Sequence, residues 1–109
     1  PMSLTDILNE ALDAIPGARF AGVVGTDGLS VEMVFEDQDD GFDIGLAELE
    51  LGALAAGATA ASLRLGTGRV QDMLVETEGM AYLGSIVSPG YFAVLGLPAP
   101  TRRVGGRSP

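Results

Sequence analysis

Side chains able to do acid–base or nucleophilic chemistry are scarce in these 109 residues. The chain contains no His, no Cys and no Lys. Imidazole bases, thiolates and Schiff-base amines are therefore missing. Ser30, Ser62, Ser85 and Ser88 have no imidazole to activate them, which excludes a serine triad. Carboxylates remain, but most fall in one loop, at turns or on polar helix faces. A carboxylate pair for glycoside hydrolysis is the one arrangement that composition leaves open. The sequence reads as that of a non-enzyme.

Three stretches imitate ligand-binding motifs. The acidic loop from Glu36 to Asp43 suggests calcium. With Gly41 in the sixth place of an EF-hand loop, the twelfth is Ala47, and the bidentate acid required there is absent. Gly52 to Thr59 has the spacing of a phosphate-binding loop. Ala58 stands where the Lys should be, and the stretch falls inside a helix whose N–H groups are already used. Gly66-Thr67-Gly68-Arg69-Val70-Gln71 lacks the third Gly of a dinucleotide fingerprint and leads into a strand. No metal, nucleotide or other cofactor is expected. Arg19, Arg64 and Arg69 are the body's candidates for an arginine finger acting on a GTPase. They open strands or end a helix, which suits structural or solvated charges.

Charge and composition narrow the partners. Net charge is −9. All fifteen acids precede Pro98, whereas Arg102, Arg103 and Arg107 lie beyond it. An acidic body repels phosphate backbones, so nucleic acid is not an expected partner. Apolar residues make up 47%, high for a small monomer with much surface to cover, and this hints at an oligomer. Without Cys there is no disulfide framework. Met2-Ser3-Leu4-Thr5-Asp6 has neither the basic nor the apolar region of a secretory signal, so a cytoplasmic location is expected. Gly79 to Thr101 carries no charge, but Ser85, Ser88, Pro89 and Gly90 interrupt it. Two strands and a turn are expected there, not a transmembrane segment.

The elements follow from periodicity. Ser3 to Asp6 reads as a capping box. Leu4, Ile7, Leu8, Ala11, Leu12 and Ile15 form one helical stripe, closed by Pro16-Gly17. Residues 19–36 read as a hairpin turning at Asp27-Gly28. Ile44 to Leu65 is a long Ala- and Leu-rich helix, in which Gly52 and Gly57 each cost about 1 kcal/mol relative to Ala. Close approach of another backbone would offset that. Strands follow at Arg69–Thr77, Met80–Val87 and Tyr91–Leu97. The order is α-β-β-α-β-β-β, an α+β domain with a five-stranded antiparallel sheet over residues 1–97. Residues 98–109 read as a disordered Pro/Gly/Arg tail.

The ordered set of IPGARFAGVVGTDGLSVEMV, the small-residue helix and LGTGRVQDMLVETEGMAYLGSIVSPGYFAVLGL resembles the Roadblock/LC7 family over residues 4 to 97. The resemblance implies a profilin-like sheet with helices on both faces. It implies a homodimer formed through the second helix and the third strand. It also implies a regulatory or scaffold role, in bacterial MglB-type members toward a small Ras-like GTPase, without a donated catalytic Arg. Many members have a third, C-terminal helix; this sequence shows none. The expected dimer interface comprises Leu49, Gly52, Ala53, Ala56, Gly57, Ala60, Val70, Met73 and Val75. The expected partner surface is acidic and solvent-facing, comprising Asp39, Asp40, Asp43, Glu48 and Glu50. A structural adaptor without effect on GTP turnover, or a small-ligand sensor, are the alternative functions.

Overall fold

The computed structural model describes residues 2–36 and 43–100. Helix α1 spans Leu4–Ala14. Ser3 closes its start as a full capping box. The Ser3 hydroxyl accepts the Asp6 N–H at 3.1 Å, and the Asp6 carboxylate accepts the Ser3 N–H at 3.2 Å. First-turn N–H groups that would lack partners are thereby satisfied. Of the expected stripe, Leu8 and Leu12 are buried, Ala11 and Ile15 half-buried, and Leu4 and Ile7 exposed.

Strands β1 (Phe20–Gly25) and β2 (Ser30–Phe35) form the expected hairpin. Gly28 takes φ +93°, and the Asp27 carboxylate accepts the Leu29 N–H at 3.0 Å. Helix α2 spans Ile44–Leu65. Asp43 caps it by accepting the Leu46 N–H at 3.0 Å, and Gly66 ends it in the left-handed conformation. The remaining strands are β3 (Asp72–Glu76), β4 (Met80–Ser88) and β5 (Tyr91–Pro98). β3 is shorter than the expected Arg69–Thr77. Arg69 to Gln71 instead form a connection, tied to β4 where the Ile86 N–H donates to the Gln71 carbonyl at 2.8 Å. Pro98 belongs to β5, one residue past the expected boundary, while Arg102, Arg103 and Arg107 lie outside the described residues.

The strands lie in the order β2-β1-β5-β4-β3, all neighbours antiparallel. β2 and β3 are the two edges, and α2 joins them. The helix must therefore carry the chain across the whole sheet. Its 22 residues reach about 33 Å. Four strand spacings need only about 19 Å. The excess length explains why one straight element can do it, crossing obliquely.

Opposed residues in the register share a face. Phe20, Gly22 and Val24 of β1 face α2 together with Met33, Phe92, Val94, Met80 and Tyr82. Fully buried Phe20 anchors this core. Its ring stands 5.8 Å from that of Phe35 and 6.3 Å from that of Tyr82. A Cβ at Gly96 would overlap the Phe20 ring, so glycine there makes the space. The other face carries α1, packed on β1 and β2. The Thr5 hydroxyl donates to the Glu32 carboxylate at 2.7 Å across that contact.

Gly52 is buried, and a Cβ there would run into the Gly28 carbonyl. The cost of a glycine in mid-helix thus meets its reason inside the protomer: the helix backbone touches the hairpin turn. Gly52→Ala is expected to destabilise the fold by about 2 kcal/mol, lowering Tm by roughly 10 °C. Gly57→Ala, whose Cβ would meet nothing within 4 Å, should be neutral or slightly stabilising in the protomer. Calorimetric melts of both variants check this, and equal effects would refute it.

Candidate interaction surface

Helix α2 is apolar around most of its circumference, yet the sheet uses only one side of it. Leu51, Gly52 and Ala55 are buried. By length and composition α2 could cross a membrane, but here it is capped, packed on the sheet and interrupted by Glu48, Glu50 and Arg64. Only 17% of its most apolar 18-residue stretch is buried. Leu46 remains 51% exposed and Leu49 65%. Burying such side chains is worth about 1.5–3 kcal/mol each.

The helix seats toward the β1–β2 hairpin, with Gly28 against Gly52 and Ala56. On its other flank it stands off from β3 and β4. The gap is an open, mostly apolar groove of about 520 Å³, lined by Leu46, Ala47, Leu51 and Leu54 above and by Phe20, Val75 and Tyr82 below. Asp43 and Glu50 stand at its margin. Beside the groove β3 pairs only with β4, so its outer edge presents unpaired backbone groups among the described residues.

The expected site residues divide accordingly. Leu49, Ala53 and Gly57 are exposed on α2, and Ala60 is half-buried. Val75 lines the groove. Gly52 and Ala56 are instead turned toward Gly28 within the protomer. Val70 and Met73 pack against the core as half-buried side chains. Of the acids, Asp43 is occupied as the α2 cap, and Glu50 is exposed at the groove. Glu48 corrects the expectation of a solvent-facing residue. It is half-buried, in line with Leu51 and Ala55 on the sheet-facing side, because residues three and seven apart share a helical face. Asp39 and Asp40, like Asp37, lie outside the described residues. The sequence reading missed Leu46, Leu54 and Tyr82. A signal was present in the i, i+4, i+8 spacing of Leu46, Glu50 and Leu54, which places them along one flank.

Among the described residues no group of three Asp or Glu side chains is placed to share a cation. Arg64 lies in the last turn of α2, where a cation suits the helix dipole.

No protein-family model and no curated protein matches the sequence. Solved structures do. The crystal structure of MglC from Myxococcus xanthus is 32% identical, with a TM-score of 0.60, the match covering 90% of this chain and 82% of MglC. The gliding protein MglB of Thermus thermophilus is 21% identical, with a TM-score of 0.69 and coverage of 88% and 73%. A Roadblock/LC7 domain from Streptomyces avermitilis is 22% identical, with a TM-score of 0.67 and coverage of 89% and 79%. The five-stranded antiparallel sheet with a helix on each face, the α-β-β-α-β-β-β order and the identity to MglC converge on one assignment, and the chain belongs to the Roadblock/LC7 family.

Proposed function

We propose that this protein is a homodimeric, non-catalytic regulator that binds a small Ras-like GTPase and modulates its nucleotide cycle. The observation that carries the reading is the long apolar helix α2, left largely uncovered beside an apolar groove and an open β3 edge. A second copy related by a two-fold axis fits these features. The same patch meets itself, the two β3 edges pair, and each groove receives the other protomer's helix. Leu46, Leu49, Leu54, Gly57 and Val75 then form the contact. The GTPase is assigned to the outer end of the α2 layer. There Asp43 and Glu50 of both copies concentrate negative potential that favours a basic patch.

Leu46→Glu places a carboxylate in the groove and should convert the dimer to a folded monomer, read by sedimentation at micromolar concentration. Because Asp43 and Glu50 recur on both sides of the two-fold, dimerisation should tighten as salt rises. A wild-type monomer, or a dimer that weakens with salt, would contradict this arrangement.

The regulatory role is tested by GTP hydrolysis and nucleotide release from a small Ras-like GTPase encoded nearby, with and without this protein. A change in either rate is expected, reduced by Glu50→Lys in a variant that still dimerises. Binding without any change in turnover would make the protein a structural adaptor.

A further inference from the structure

The C-terminal end of α2 covers a second cavity, which shares no lining residue with the groove. It goes beyond the dimer and GTPase reading and does not depend on it. Its volume is about 280 Å³, close to the lower bound of small-ligand sites, about 300 Å³. α2 supplies Thr59 and Leu63, the connection after it Arg69 and Val70, and strands β4 and β5 Ile86 and Phe92. Phe92 is fully buried, Val70 and Ile86 are half-buried and packed against the core, and Leu63 is 69% exposed. The cavity therefore runs from an apolar floor to an open mouth.

Its polar groups are few and complementary to one kind of ligand. Arg69 is the one charged residue in the lining, and among the described residues its guanidinium meets no carboxylate. The backbone on its C-terminal side is pinned. Val70 packs on the core, and the Gln71 carbonyl accepts the Ile86 N–H at 2.8 Å. Thr26 also lines the cavity, held there by its N–H, which donates to the Gly90 carbonyl at 2.9 Å. The Thr26 hydroxyl is half-buried and makes no hydrogen bond among the described residues. The Thr59 hydroxyl has given its proton to the Ala55 carbonyl at 2.8 Å. The donors left for a ligand are thus the guanidinium and the Thr26 hydroxyl, which call for an acceptor.

Charge narrows the acceptor. One guanidinium balances one carboxylate and can hold it by two parallel hydrogen bonds. A phosphate group would bring about two negative charges to a single cation, in a protein of net charge −9. The negative end of α2 lies nearby, but the Leu63 and Ser62 carbonyls are already taken by the Gly66 and Thr67 N–H groups, each at 3.1 Å.

We infer that the cavity under the C-terminal end of α2 is a binding site for a small monocarboxylate with an apolar body, the carboxylate on Arg69 at the mouth and the body against Phe92.

The test titrates the isotope-labelled full chain with phenylacetate, phenylacetamide and acetate, read by amide shifts in NMR. Phenylacetate should bind saturably in the millimolar range, weaken with salt, and shift the amides of Thr26, Gly68, Val70 and Gly90. Phenylacetamide keeps the body without the charge, and acetate keeps the charge without the body. Each should bind at least about tenfold more weakly. Arg69→Gln should weaken phenylacetate about tenfold and leave the remaining amide spectrum that of the folded protein. Should that variant fail to fold, the phenylacetamide comparison in the wild-type chain decides. Leu46→Glu, in the groove, should leave phenylacetate affinity unchanged whatever it does to self-association. The inference is overturned if phenylacetate does not bind saturably, if phenylacetamide binds as tightly, or if Arg69→Gln binds with wild-type affinity. Shifts confined to Leu46, Leu54 and Tyr82 would assign the ligand to the groove and overturn it as well.

Discussion

Helix α2 is held by a backbone-to-backbone contact: Gly52 of the helix lies against Gly28 in the β1–β2 turn, and a Cβ at Gly52 would not fit. A contact of this kind tolerates little adjustment, because neither side has a flexible side chain to yield. It fixes the rotation of the helix and draws it toward the hairpin. The flank bearing Leu46 and Leu54 is thereby lifted over β3 and β4, and the groove is what that displacement leaves. The seat also turns Glu48 inward and Glu50 outward, although both belong to one acidic pair in sequence.

Topology adds a second constraint. With β2 and β3 at opposite edges, the connection between them must traverse a face, and one long helix does so. A helix crossing obliquely cannot shield five strands evenly. It covers β1 and β2 and leaves the β3 side to whatever else can pack there. The short edge strand, the groove and the exposed leucines of α2 are thus linked outcomes of one connection.

The two faces of the sheet are incomplete in different ways. On the α2 face an uncovered helix adjoins the open strand edge, geometry that suits self-association by strand and helix together. On the α1 face, among the described residues, the short helix packs on β1 and β2 only, and the carboxylates of Asp72 and Glu76 lie on either side of Leu74 on β3. The edge strand β3 contributes to both surfaces because its side chains alternate: Met73 and Val75 to one, Leu74 to the other.

Much of the architecture was legible in the residues themselves. The capping box at Ser3 and Asp6, the turn at Asp27-Gly28, the boundaries of α2 at Asp43 and Gly66, and the strand order in sequence all rest on local signals, which act within a few residues. The missing His, Lys and Cys likewise bounded the chemistry before any fold was known. What the sequence could not supply was the sidedness of α2. The helix is apolar nearly all round, so periodicity has no polar face from which to read an orientation, and Gly52 and Gly57 look alike. Only tertiary packing separates them, placing Gly52 against a turn 24 residues earlier in the chain and leaving Gly57 open. The same holds for Val70 and Met73, drawn into the core, and for Leu46 and Tyr82, brought to one groove from a helix and a strand far apart in sequence. Such juxtapositions depend on where two backbones meet, and no local pattern encodes that.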